Sequence, residues 1–199
     1  MANERNTLTD DELVENFVRG NEEAFEELVL RYKNSLYQYI LVMTGDEGAA
    51  GDLFQEVFLS VYKNAQKYQA QGKFKAWLFR LGRNRVLNYF RDKDPLFSLD
   101  QTDEDGKEPL HEILPSGEEL PLETLERAEL AKEIRKATQA LPPKQREIIY
   151  LRQYMSFKDI AQTLGLPLGT VLVTSHRAIN KLQSILLKKN REVVYETVR

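Results

Sequence analysis

A chain of 199 residues, 42% hydrophobic and 30% charged with a formal charge of −3, carries enough apolar material for one soluble domain or two small ones. It has no cysteine, and its two histidines, His111 and His176, lie far apart; this excludes disulfides and thiolate sites, argues against a histidine zinc centre, and implies neither metal nor cofactor. No run approaches the roughly 20 apolar residues of a membrane span, and the opening MANERNTLTDDEL lacks the apolar core of a secretory signal, so the expectation is a cytoplasmic protein without membrane insertion.

Thr9 and Glu12 fit a capping box ahead of Leu13, Val14, Phe17 and Val18 at helical spacing. A second helix is predicted from about Glu22 to Met43, with Phe25, Leu28, Val29, Tyr32, Leu36, Tyr39, Ile40 and Met43 on one side. Gly45, Gly48 and Gly51 mark a break. A third helix is expected to begin near Asp52, with Leu53, Phe54, Val57, Phe58, Val61 and Tyr62 inward. Gln69 to Lys73 is a short polar loop, and a fourth helix runs from about Phe74 to Arg91.

Periodicity then lapses from Pro95 to about Glu126, where Asp, Glu, Pro, Ser and Gly dominate, so this stretch is expected to be a flexible linker. A helix resumes near Leu125 and is stopped by Pro142 and Pro143. Another covers Lys144 to Gln153, ahead of SFKDIAQTLGLPLGTVLVTSHRAINKL from Ser156 to Leu182. In that last piece Ser156 caps a first helix with Asp159 as its partner, and Ile160, Ala161 and Leu164 face inward. Gly165 suits the left-handed end of that helix and Pro167 the opening of the next, which is the layout of a helix-turn-helix. The fold class is therefore all-α. Two small helical domains, 1–94 and 127–199, are joined by an acidic linker at 95–126.

Charge is segregated along the chain. Residues 1–94 hold 13 basic and 15 acidic side chains, 95–126 hold 1 and 10, and 127–199 hold 14 and 6; within the first block, 63–93 hold 9 basic and 1 acidic. Two basic stretches flanking an acidic one point to polyanion contacts, because a phosphate backbone feels the local field within about 8 Å at physiological salt.

On the helix from Lys73 to Lys93, the residues Lys73, Arg80, Arg83, Asn84 and Arg91 share an arc of roughly 100°, while Phe74, Leu78 and Leu81 gather elsewhere and Arg85 falls on the apolar side. Such a face serves either as a solvated basic surface or as a phosphate contact. Tyr68, Phe74, Trp77 and Phe79 nearby are the right chemistry for stacking unpaired bases, although core packing suits them too and is the first expectation for Phe79. On the last helix, Val171, Ser175, Ala178 and Leu182 share one face and Thr170, Val173, His176, Arg177 and Asn180 the opposite one, where base edges and phosphates belong. Asp52, Gln55 and Glu56 are placed in the first two turns of their expected helix, where the macrodipole alone accounts for the acids.

Taken in order, GDLFQEVFLSVYKNAQKY (51–68), GKFKAWLFRLGRNRVLNYFR (72–91), LPPKQREIIYLRQYMSFKDIAQTLGLPLGTV (141–171) and HRAINKL (176–182) resemble the extracytoplasmic-function group of bacterial RNA polymerase sigma factors. These compact members carry only the second and fourth sigma regions. The resemblance implies a non-enzymatic promoter-specificity factor that binds core RNA polymerase and helps melt promoter DNA. It assigns polymerase binding to Asp52, Leu53, Gln55 and Glu56. Recognition of a single-stranded minus-ten element falls to Tyr68, Lys73, Phe74, Trp77, Arg80, Arg83, Asn84 and Arg91, with the Gln69 to Lys73 loop holding a flipped base. Duplex minus-thirty-five recognition falls to Thr170, Val173, Thr174, His176, Arg177 and Lys181, and an anti-sigma factor is a further implied partner. The acidic linker would pass through the polymerase channel. The chain departs from the family after Gly-Thr-Val, where Leu172, Val173, Thr174 and Ser175 replace a basic or polar run. Val173 then meets a thymine methyl, or Leu168, Leu172 and Val173 form an apolar patch for a protein.

Two other classes remain open from the residues: a helix-turn-helix regulator that never engages polymerase, and a helical adaptor that binds only proteins. The second predicts no salt-dependent affinity for nucleic acid. The charge pattern also predicts that the acidic linker masks the basic stretches in the free protein. Deletion of Asp100 to Glu119 should then raise nonspecific DNA affinity in a low-salt binding titration, and an unchanged affinity would remove the masking idea.

Overall fold

A computed structural model describes residues 8–93, 134 and 136–197. Among these residues the regular elements are all helical: α1 (Asp10–Val18), α2 (Glu22–Thr44), α3 (Glu47–Asn64), a 3₁₀ turn (Ala65–Lys67), α4 (Phe74–Lys93), α5 (Pro143–Arg152), α6 (Phe157–Leu164) and α7 (Leu168–Thr197), with 136–139 also helical. The chain divides into two compact units, one built on α1–α4 and the other on α5, most of α6 and α7. The acidic stretch 95–126 and the expected helical start near Leu125 lie outside the described residues. No helix among the described residues is long and apolar enough to cross a membrane.

In the first unit α2 is the centre, packing against α1, α3 and α4. Its apolar positions fall on one helical stripe, and Leu28, Leu36, Tyr39 and Ile40 lose all solvent contact. Val57 and Val61 of α3 and Phe74, Leu78, Phe79 and Val86 of α4 close the core, each such side chain contributing about 1.5–3 kcal/mol by its removal from water. α1 begins with the expected capping box: the Glu12 amide donates to Thr9 Oγ1 at 3.3 Å and the Thr9 amide to Glu12 Oε2 at 2.7 Å. The Thr9 amide also holds the Glu12 carboxyl below its ordinary range.

The start of α3 corrects the sequence reading. The helix begins at Glu47, so Gly48 and Gly51 lie inside it and only Gly45 makes the break. Gly45 takes the left-handed conformation that ends α2 (φ 70°), its N–H donating to Leu41 at 2.8 Å. One residue later the Asp46 carboxylate accepts the Ala49 amide at 3.0 Å and starts α3. Local cap chemistry thus outweighs the roughly 1 kcal/mol that each internal glycine costs relative to alanine. Asp52, Gln55 and Glu56 consequently sit beyond the first turn, where the macrodipole has faded, and their expected helix-stabilising role disappears.

α4 approaches α2 closely. A methyl on Gly82 would come within 3.0 Å of Leu36 Cδ1 and 3.5 Å of Tyr39 Cε1, both of them core atoms. Arg85, which the helical projection leaves on the apolar side, is turned to α3: Nη2 donates to Ser60 Oγ at 2.8 Å and Nη1 lies 3.4 Å from Glu56 Oε2.

In the second unit Pro143 opens α5, supplying a preset φ where no amide donor is needed. Arg146 Nη2 donates to the Gln139 and Leu141 carbonyls at 2.6 and 3.1 Å, satisfying the end of the preceding helical segment. Ile148 and Leu151 of α5, Ile160 of α6 and Val171 and Ala178 of α7 are fully buried, and α5 packs against α7. Ser156 caps α6 as expected, its Oγ accepting the Asp159 amide at 3.2 Å, but Asp159 returns to the Ser156 hydroxyl and not to its backbone. Gly165 closes α6 with φ 69°.

Gly82→Val should lower the stability of the first unit by about 1–3 kcal/mol through overpacking. Urea unfolding followed by the fluorescence of Trp77, the single tryptophan of the chain, reads this directly.

Candidate nucleic-acid interface

The loop between the 3₁₀ turn and α4 is shaped by one carboxylate. Tyr68 leaves the turn extended (ψ 131°), and its hydroxyl donates to Asp11 Oδ1 at 2.7 Å. The Gly72 amide donates to Asp11 Oδ2 at 2.6 Å, and the Lys73 amide donates to the Tyr68 hydroxyl oxygen at 3.3 Å. Gly72 makes this closure with φ 65°, a conformation that side chains with a Cβ rarely adopt. Burial, reinforced by the bond to Asp11, pushes the Tyr68 hydroxyl far above its ordinary range, so it stays protonated and donating.

Four rings gather at this loop. The Tyr68 and Trp77 centroids lie 5.1 Å apart, and Phe74 sits 5.7 Å from Tyr68, 5.8 Å from Trp77 and 5.6 Å from Tyr32. Tyr68 and Trp77 are half-buried and present ring surface to solvent, whereas Phe74 is only 1% exposed and acts as the floor beneath them. Phe79 is core, as expected. Lys73, Arg80, Asn84 and Arg91 are exposed and Arg83 is half-buried. Of the expected single-strand residues, Phe74 alone is placed where no base reaches it.

Across α3, Asp52, Gln55 and Glu56 are exposed, and Leu53 is buried to 7% as part of the core side of the same helix. An open groove of about 580 Å³ runs between α3 and α4 past Asp46, Asp52, Glu56, Arg85, Tyr89 and Lys93. Asp46 joins its ends: the Tyr89 hydroxyl donates to Asp46 Oδ2 at 3.2 Å and Lys93 Nζ stands 4.0 Å away. Sequence reading missed Asp11, Asp46 and the turn of Arg85, because their partners are 57, 43 and 25 positions away and no local pattern carries them.

In the second unit α7 presents Thr170, Val173, His176, Arg177, Asn180 and Lys181 to solvent, with Thr174 half-buried. Asn180 Nδ2 lies 3.2 Å from His176 Nε2. Val171, Ser175 and Ala178 face the core at 0–3% exposure, so the serine hydroxyl is inward as read from the sequence, and Leu182 is half-buried. Leu168, Leu172 and Val173 are 44–52% exposed.

Two family models match, one on each unit and in chain order: Sigma-70 region 2 on residues 28–95 and Sigma-70 region 4 on residues 131–182. The ECF RNA polymerase sigma factor SigW of Bacillus subtilis is 31% identical over 172 residues, covering 84% of this chain and 91% of its own length. The chain belongs to the extracytoplasmic-function group of sigma factors. This sigma factor is also 31% identical, over 192 residues, to the RNA polymerase sigma-H factor of Pseudomonas aeruginosa, covering 90% of this chain and 96% of that one. Among solved structures it is similar to CnrH, in complex with the cytosolic domain of CnrY, at TM-score 0.60 and 25% identity over 89% of this chain and 96% of that one. It shares its fold with the sigma factor RpoE of Bartonella quintana, solved with the anti-sigma factor NepR, at TM-score 0.62 and 24% identity over 81% and 96%.

Of the four arginines of α4, Arg91 is exposed and Arg85 is turned to α3. If the sigma factor binds single-stranded DNA through the exposed face, Arg91→Ala should reduce the slope of log affinity against log salt by about 0.7. Arg85→Ala should leave that slope unchanged, since its guanidinium is turned to Glu56 and Ser60.

Proposed function

We propose that this sigma factor divides promoter recognition between its two units, 1–94 and 127–199, joined by the acidic 95–126. The exposed Asp52, Gln55 and Glu56, on the α3 face above Leu53, dock on the clamp helices of the largest polymerase subunit. Tyr68, Trp77 and the Gln69 to Lys73 loop hold extruded bases of the minus-ten strand, while Lys73, Arg80, Arg83, Asn84 and Arg91 take its phosphates and Phe74 supports the rings from below. Binding only the extruded form shifts the duplex towards opening, because unstacking costs a few kcal/mol per base and each aromatic stack returns about 1–3 kcal/mol. The second unit sets α7 in the major groove of the minus-thirty-five element. There Thr170, Thr174, His176, Arg177 and Lys181 meet bases and phosphates, and Val173 meets a thymine methyl.

The observation that carries this reading is the half-exposed Tyr68 and Trp77 ring pair, 5.1 Å apart beside exposed cations, in the same unit as an exposed acidic face. The protein makes no bond itself; the polymerase does the chemistry, in the bacterial cytoplasm. An anti-sigma factor is a further partner, in line with the complex in which the sigma factor RpoE, of the same fold, was solved with NepR.

Run-off transcription with purified core polymerase on a promoter library tests the reading as a whole: discrete start sites are expected, and their absence overturns it. Replacing Asp52 and Glu56 together by lysine should weaken core binding about tenfold or more by putting like charge in the interface. The same double variant should leave the affinity for the isolated minus-ten strand intact.

A further inference from the structure

We propose that Asp11, a residue of α1 outside every surface assigned above, is a positioning residue of the single-strand reader: it sets the shape of the Gln69 to Lys73 loop and with it the base preference of the minus-ten site. This rests on the minus-ten reading above. Residues 69–73 are all exposed, so burial contributes nothing to their conformation. Their shape is held instead by hydrogen bonds that converge on one side chain. Asp11 accepts the Tyr68 hydroxyl at 2.7 Å with one oxygen and the Gly72 amide at 2.6 Å with the other, which brings the two ends of the loop onto a single carboxylate. A carboxylate is the group for this task, having two acceptor oxygens and no donor. The Tyr68 ring, fixed through its hydroxyl, stands 5.1 Å from Trp77.

α1 is itself anchored so that Asp11 cannot drift. The neighbouring Asp10 receives Arg31 Nη1 at 2.7 Å and the hydroxyl of Tyr32, and the Tyr32 ring packs 5.6 Å from Phe74, the first residue after the loop. Two adjacent carboxylates on the first turn of α1 therefore govern both margins of the reader: Asp11 the loop and Tyr68, Asp10 the floor beneath the rings. Burial, reinforced by the bond to Asp10, drives the Tyr32 hydroxyl far above its ordinary range, which keeps this second donor protonated as well. Nothing in the sequence around Asp11 announces the role, since an acid at a helix start is expected on dipole grounds alone.

The test uses the full chain assembled with core polymerase and the minus-ten single strand selected in the run-off assay, together with the same strand substituted at each position. Asp11→Asn keeps the side-chain size but replaces one acceptor by a donor facing the Gly72 amide or Tyr68. It should weaken the selected strand about tenfold, equivalent to the loss of one charge-assisted hydrogen bond, and narrow the spread between best and worst bases by a similar factor. Binding of the duplex minus-thirty-five element should be unchanged, and in the free protein the emission of Trp77, its single tryptophan, should move to the red as Tyr68 loosens.

Thr9→Ala separates positioning from stability. It removes the cap of α1 and lowers stability while leaving Asp11 in place, and it should keep the parent's base preference. The proposal is overturned if Asp11→Asn reads bases as the parent does, or if Thr9→Ala reproduces the loss. A parent holoenzyme that distinguishes no base in the single strand would instead overturn the minus-ten reading, and this inference with it.

Discussion

The rotation of α4 about its own axis is the constraint on which the first unit depends. Phe74, Leu78, Phe79 and Val86 are at most 1% exposed, and Gly82 lets the helix approach Leu36 and Tyr39 of α2 so closely that any Cβ there would crowd Leu36 Cδ1. Once that face is committed, the remaining residues have no choice of direction. Asn84 and Arg91 emerge into solvent, Arg85 turns to Ser60 and Glu56 of α3, and Trp77 comes up beside Tyr68. A helix with six cations is stable here because most of them point away from the buried face and Arg85, on the apolar side, finds partners on α3.

The same setting gives the acidic residues of α3 their meaning. With the helix starting at Glu47, Asp52 and Glu56 lie too far along it to gain from the macrodipole, and they stand exposed above a core-facing Leu53. Arg85 lies 3.4 Å from Glu56, but the pair is solvent-exposed and adds little to stability. An exposed acid with a small folding benefit is available to a partner, as the proposed docking on polymerase requires.

Most of the fold was legible because its signals are local. Thr9 with Glu12, Ser156 with Asp159, Gly165 and Pro143 each fix a helix end within a few residues of themselves, and the stripes of α2, α6 and α7 follow from spacing alone. The start of α3 was misjudged because three glycines read as one break, whereas only Gly45 adopts the left-handed turn and Asp46 restarts the helix at once. The site was legible in part. Charge and aromatic content located α4 and its loop, but Phe74 and Trp77, three residues apart, went to opposite fates, floor and exposed ring, which depends on how tightly Tyr32 closes over one of them. Asp11 was invisible, since its meaning lies in contacts made 57 and 61 residues away.

Energetics also explain why one chain would carry two readers. Melting a promoter costs a few kcal/mol for each extruded base, and a ring pair with a handful of phosphate contacts returns roughly the cost of one or two. A single-strand reader alone therefore lies near balance and holds open DNA only briefly. A second unit bound to duplex on the same molecule changes the arithmetic, because the melted strand then meets its reader at an effective concentration in the millimolar range and not at that of free protein. Near its start α7 carries an exposed Val173 and a buried Ser175 where the resemblance implies a basic or polar run, so phosphate contacts there fall to Arg177 and Lys181. On the proposed reading the two units act together, so DNA presenting both elements at the right separation is favoured over DNA presenting one, which is what specificity for a promoter requires.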